Sequence, residues 1–227
     1  MGQAVGNVLP LAVAIAVFPV PIIAAVLVLG SERGTAKGLT FVLAWSMGLA
    51  AIGAIALLLA GAADATDAGK PAIWVNVLLL GLGLLLLVLA AKQWRGRPAA
   101  DEEPPVPGWM RTIGDFTVLK SAGAGFFLTA LNPKNVLLTV AAAAEIAEVG
   151  LPADQQAVVM VVFVVLASAG VLTPLLLAVA LGDRSRQLLD RLRGWMARHN
   201  AAIMAVLFLL IGAKLIGDAV SGFSGRG

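Results

Sequence analysis

The chain has 227 residues, of which 60% are hydrophobic and 13% charged, with a formal net charge of +3. A soluble domain carries about 25% charged residues, so this composition excludes an ordinary water-soluble fold. No cysteine is present, which rules out disulfides, thiolate metal sites and thiol redox chemistry.

The first apolar segment covers residues 8–30. It has no Lys or Arg before Arg33, so it lacks the basic start of a signal peptide and is expected to stay in place. Phe18-Pro19-Val20-Pro21 interrupts it about eleven residues in, and proline removes a backbone donor and clashes with the preceding turn. Residues 39–61 form the second span, with Trp45 and Ser46 deep within it. The third covers 72–91, flanked by Trp74 and Trp94 as interfacial anchors, and Asn76 near its start carries no evident role.

A linker follows, with Pro98–Pro107 and the acidic Asp101, Glu102 and Glu103. Trp109, Ile113 and Phe116 form a weak amphipathic patch before the fourth span at 121–147. That span is interrupted by Asn132-Pro133-Lys134-Asn135, a costly set at bilayer depth: a central Lys alone costs about 2.5–3.5 kcal/mol on insertion scales. Freed backbone groups in hydrocarbon are tolerated only where protein or a water-filled cavity satisfies them, so this break marks a functional position. Glu145 and Glu148 close the span and are expected to be solvated.

The fifth span, 155–181, carries Ser168, Thr173 and Pro174. In 184–198, Leu188, Leu189, Leu192, Trp195 and Met196 recur at helical spacing opposite Arg184, Arg191 and Arg198, the pattern of an interfacial helix at lipid headgroups. The only histidine, His199, follows as a solvated flank residue, and no zincin-type metal motif exists. The sixth span is 200–220. The loops at 31–38, 92–120 and 183–199 hold twelve Lys and Arg, against Lys70 and Arg226 on the other side. By the positive-inside rule both termini face outward from a plasma (inner) membrane, and the basic residues meet anionic membrane lipids rather than nucleic acid.

An offset of 122 places Phe41-Val-Leu-Ala-Trp-Ser-Met-Gly48 on Phe163-Val-Val-Leu-Ala-Ser-Ala-Gly170, and Leu84–Lys92 on Val206–Lys214, both ending Ala-Lys. The two breaks align at 112 to 114. Three spans is an odd number, so the second copy inserts upside down. The expected fold is all-α: six transmembrane helices as two inverted three-helix repeats, residues 1–92 and 120–227, joined by a cytoplasmic linker at 93–119. Helices one and four are broken, and about eleven residues of helix span roughly 16 Å, which puts both breaks near the midplane.

The expected substrate-binding set is Pro19, Pro21, Asn132, Pro133, Lys134 and Asn135, with Trp45, Ser46, Ser168 and Thr173 as secondary candidates. Lys134 supplies a cation, the asparagines supply donors and acceptors, and amides at a half-helix start favour an anion. Lys134 is also a candidate for proton-coupled release; its structural alternative is to satisfy carbonyls freed by Pro133 or to pair with Glu145. No paired intramembrane aspartate, Ser–His pair, phosphate loop or nucleotide-binding motif is present, so the chain reads as no enzyme, with no cofactor and no metal. Gly81-Leu-Gly83, and Gly48 with Gly53, permit close helix contact within a protomer or in a homo-oligomer.

Pro19-Val20-Pro21 and Asn132-Pro133-Lys134 resemble the first- and fourth-span motifs of the lysine-exporter (LysE) superfamily. The opening Leu9-Pro-Leu-Ala-Val, Pro19-Val-Pro-Ile-Ile, Phe41-Val-Leu-Ala-Trp and Asn132-Pro-Lys-Asn are most similar to its actinobacterial GAP/Sap group, named for glycopeptidolipid- and sulfolipid-addressing proteins. The resemblance implies a secondary exporter of an anionic or amphipathic cell-envelope precursor such as a glycolipid. Other roles in that range are a non-transporting assembly factor for a lipid-export machine and an exporter of small solutes such as amino acids. Val20 and Ile22 make the first break more apolar than in amino-acid exporters, and the absence of Cys excludes the branch that moves reducing equivalents.

Overall fold

The computed structural model describes residues 1–64, 73–97 and 112–224. These form eight α-helices: α1 (Gly2–Ala16), α2 (Pro19–Leu29), α3 (Gly34–Asp64), α4 (Ile73–Arg95), α5 (Val118–Ala130), α6 (Pro133–Glu148), α7 (Ala153–Leu181) and α8 (Ser185–Ser224). Four of them (α3, α4, α7, α8) are long and apolar enough to cross a membrane. The pairs α1–α2 and α5–α6 are bent by 53° and 61°, and each completes a further span when counted as one, giving up to six. The protein is thus an all-helical, polytopic membrane protein. The Pro98–Pro107 linker, Trp109 and the Trp74 side chain lie outside the described residues.

Both bends fall at a residue that precedes a proline. The residue before a proline is pushed out of the helical region by the proline ring. Phe18, before Pro19, sits at φ −63° and ψ 116°, and Asn132, before Pro133, at φ −83° and ψ 111°. Each proline then starts the next helix at a position where its missing amide leaves no intrahelical bond unmade. Pro10 and Pro174 lie inside α1 and α7 without ending them, so proline alone does not set the breaks.

The packing follows an inverted repeat. Ser46 on α3 and Ser168 on α7 are 122 residues apart and share a hydrogen bond of 2.9 Å. On either side of that pair, Gly53 packs on Met160 and Gly38 on Leu175, contacts that the same offset exchanges. Gly48 packs on Thr129 of α5, and Gly170 packs on the backbone of Ala16 in α1; residues 16 and 129 are 113 apart, the separation expected of the two breaks.

The third pair departs from the sequence alignment. Gly83 on α4 and Gly212 on α8 approach each other's carbonyls, with Ile216 over the first and Leu87 over the second. That reciprocity relates residues 129 apart, not 122. The difference of seven is two helical turns and keeps the same helix face, so an apolar pattern matches at either offset. Lys92 and Lys214 are therefore not equivalent: Lys92 is exposed, and Lys214 is half-buried in an ion cluster.

The amphipathic 184–198 segment is also placed differently from expectation. It is the first part of the forty-residue α8, continuous with the sixth span. Met196 is buried against Ile22 and Ile23, with Leu192 beside them, so part of its apolar face covers α2. Leu188 and Trp195 remain exposed. Ile113 is buried in a 3-10 turn, Ile113–Asp115, against α2.

These contacts make the interface glycines irreplaceable. A Cβ on Gly170 would lie 1.7 Å from the Ala16 carbonyl, and one on Gly125 2.2 Å from that of Phe41. Gly170→Ala and Gly125→Ala should each lower stability by about 1–3 kcal/mol or more through overpacking. Gly81→Ala, with nothing within 4 Å of its Cβ, should be neutral or slightly stabilising. Thermal unfolding of the purified variants in detergent checks the contrast.

Candidate functional site

The second break is closed by its own asparagines. Asn132 Oδ1 accepts from the Lys134 amide at 3.1 Å, capping α6. Asn135 is 1% exposed, and its Nδ2 donates to the Leu128 carbonyl at 3.1 Å, covering a carbonyl at the end of α5. The Val136 amide reaches the Asn132 carbonyl at 3.1 Å. Among the first-turn amides of α6, Pro133 has none and those of Lys134 and Val136 are engaged, which leaves Asn135. At the first break, Pro19 and Pro21 remove two of the donors that would start α2. Positive potential at the breaks therefore comes from the Lys134 charge more than from helix-start amides.

Lys134 takes neither of its expected structural roles. Asn135, not Lys134, covers the Leu128 carbonyl, and Glu145 pairs with Lys214 at 2.8 Å. Glu145 is 0% exposed, so it is buried and paired rather than solvated. The Lys134 ammonium lies 5.0 Å from the Phe18 ring centroid and 5.1 Å from that of Phe208. Among the described residues no carboxylate pairs with it. Phe18 belongs to the first break, so this contact brings the two breaks together, and α8 supplies the third wall. A cation–π contact contributes about 0.5–2 kcal/mol depending on desolvation, which offsets part of the burial of the charge.

The remaining candidates divide. Pro19 and Pro21 are buried beside Phe18, whereas Pro133 is exposed. Ser46 and Ser168 bond each other across α3 and α7. Trp45 is fully buried beside them, and its indole Nε1 has no partner among the described residues. Thr173 is exposed and donates to its own Ala169 carbonyl at 2.7 Å, so it does not join the site. Sequence reasoning missed Phe208, since one aromatic in an apolar run carries no positional signal.

A groove of about 430 Å³ runs from the break between α3, α4 and α6, lined by Ile52, Leu59, Leu78, Ala130, Val136 and Ala144. Its volume is that of a small-molecule site. At 100° per residue Val136 lies about 200° around α6 from Lys134, so the groove occupies the opposite face of that helix.

A model of the Sap, or sulfolipid-1-addressing protein, family matches residues 8–221. The chain belongs to that family. The match includes both breaks and all three walls of the Lys134 site, in agreement with the resemblance carried by the Pro-Val-Pro and Asn-Pro-Lys-Asn motifs. No curated protein and no solved structure matches the chain.

Two polar residues of the second break, Lys134 and Asn135, should separate by substitution. Asn135→Ala leaves the Leu128 carbonyl without its partner and should cost about 1–3 kcal/mol. Lys134→Met removes a partly buried charge that has no carboxylate partner among the described residues, and should leave thermal stability unchanged or higher. Melting of both variants in the same detergent tests this; a strongly destabilised Lys134→Met would make Lys134 a structural tie.

Proposed function

We propose that the protein is a secondary transporter that exports an anionic, amphipathic cell-envelope precursor, an acidic glycolipid, across the plasma membrane by alternating access. It is a carrier rather than an enzyme. The observation that carries this reading is the Lys134 ammonium, held where the two breaks meet and without a carboxylate partner among the described residues. Maintaining an unpaired cation in hydrocarbon is costly, and an arriving sulfate, phosphate or carboxylate removes that cost. The family name supports a sulfated lipid as cargo. The positive-inside distribution supports outward termini and inward basic loops.

The same geometry weighs against an amino acid. Such a cargo brings its own ammonium, and no carboxylate among the described residues faces Lys134 to receive it. The surrounding Phe18, Phe208, Pro19 and Pro21 suit an amphipath better than a zwitterion.

Purified protein in liposomes should move a fluorescent sulfated glycolipid between leaflets unaided, and an uncharged analogue much more slowly. Lys134→Met should lower that rate at least roughly tenfold, the effect of losing about 1.4 kcal/mol of binding at the site. Lys134→Arg should retain part of it. Full transport by Lys134→Met would remove the site, and a wild-type protein inert in liposomes would favour the assembly-factor role.

A further inference from the structure

Glu145, Lys214 and Asp218 form a charged cluster that the Lys134 site does not use. Lys214 Nζ donates to Glu145 Oε1 at 2.8 Å and to Asp218, one turn further along α8. The Glu145 side chain is 1% exposed and that of Lys214 25%. Glu145 Oε2 is buried with no hydrogen-bond partner among the described residues. Asn76 on α4 packs against Gly222, the next turn of α8 beyond Asp218. Both polar atoms of the Asn76 side chain are buried and likewise without a partner.

Charge counting decides what the cluster can do. Two carboxylates around one ammonium leave a net charge of −1 when all three are ionised, and one added proton brings the set to neutrality. An unbalanced buried charge is far less favourable than a balanced, hydrogen-bonded set. Among the described side chains, neighbouring elements supply no second cation. Helices α1 and α2 contain no Asp, Glu, Lys or Arg. The charged residues of α3, α4 and α5 whose side chains are described (Lys37, Lys92, Arg95 and Lys120) lie at the opposite ends of their helices, toward the basic loops. Asp154 of α7 is exposed at its first turn, and Glu148, one turn on in α6, has an interaction of its own.

Position gives the cluster a link to the Lys134 site. Lys134 and Glu145 are eleven residues apart on α6, hence on nearly the same face and roughly 16 Å apart. Each reaches α8 by its side chain, the first at Phe208 and the second at Lys214. The α6 and α8 backbones do not pack closely on each other, so these side chains are the connection.

We propose that Glu145, Lys214 and Asp218 form a proton-binding site that takes up one proton from water and ties its occupancy to the α6–α8 connection. The proton adds to a carboxylate oxygen, with Glu145 Oε2 the one lacking a partner, and leaves by the reverse path. Its use as the driving ion for export rests on the transport reading; the binding of the proton does not.

Infrared difference spectroscopy on the purified protein, without cargo, tests the binding step. At neutral pH the wild type should show one protonated-carboxyl band that shifts on exchange into deuterated water. Because the proton belongs to the charge balance of the set, Glu145→Gln and Asp218→Asn should each abolish that band, although they alter different residues. Both variants leave one carboxylate facing Lys214, so both should elute from size exclusion as the wild type does. A wild type without the band, or a band that survives in Glu145→Gln, overturns the proposal. If the band behaves as stated while Lys134→Met still transports, the proton site stands and the cargo site falls.

Discussion

A helix can break inside hydrocarbon only if the protein itself satisfies the carbonyls and amides that the break frees. At the second break part of that condition is met by Asn132 and Asn135, which bind the Lys134 amide and the Leu128 carbonyl. Everything distinctive about the site follows from this assignment. The asparagines rather than the lysine make these backbone contacts, and the Lys134 ammonium lies against two aromatic rings. The first break solves the same problem differently. Its two prolines bring no amides to satisfy, and the Phe18 amide folds back on the Ile15 carbonyl at 3.1 Å. The two halves are alike in geometry while their break residues differ, which is why only Pro is common to both.

Much of this was legible in the sequence because membrane burial makes polar and helix-breaking residues conspicuous. Pro19, Pro133 and Lys134 stood out against apolar runs, and the Phe and Gly positions set an offset that brings Ser46 onto Ser168. What the sequence hid has physical reasons too. A slip of seven residues preserves a helix face, so the α4–α8 pairing could not be distinguished from its neighbour two turns away. Leu189, Leu192 and Met196 recur at the same spacing whether they meet lipid or α2, and only the structure shows Met196 on Ile22 and Ile23. Glu145 sits near the end of an apolar run, where water is the default partner. Its burial depends on Lys214, sixty-nine residues away.

The two lysines inside the spans then take opposite parts. Lys214 is held by two carboxylates, and Lys134 by none among the described residues. A lysine kept for stability would resemble Lys214, since removing a partner from a buried pair is what destabilises. Lys134 has the reverse arrangement: its charge is least favourable in the structure as it stands and most favourable when an external anion arrives. Both lie along one connection, with α6 contributing Lys134 and Glu145, and α8 contributing Phe208, Lys214 and Asp218. The proposed anion at one end and the proposed proton at the other would change the charge facing the same two helices. Two ligands that bias a shared element are coupled through it without any contact between them. In the proposed carrier that coupling would be reciprocal, so an anion that favours one α6–α8 arrangement would also change the affinity for the proton, as exchange across a membrane requires.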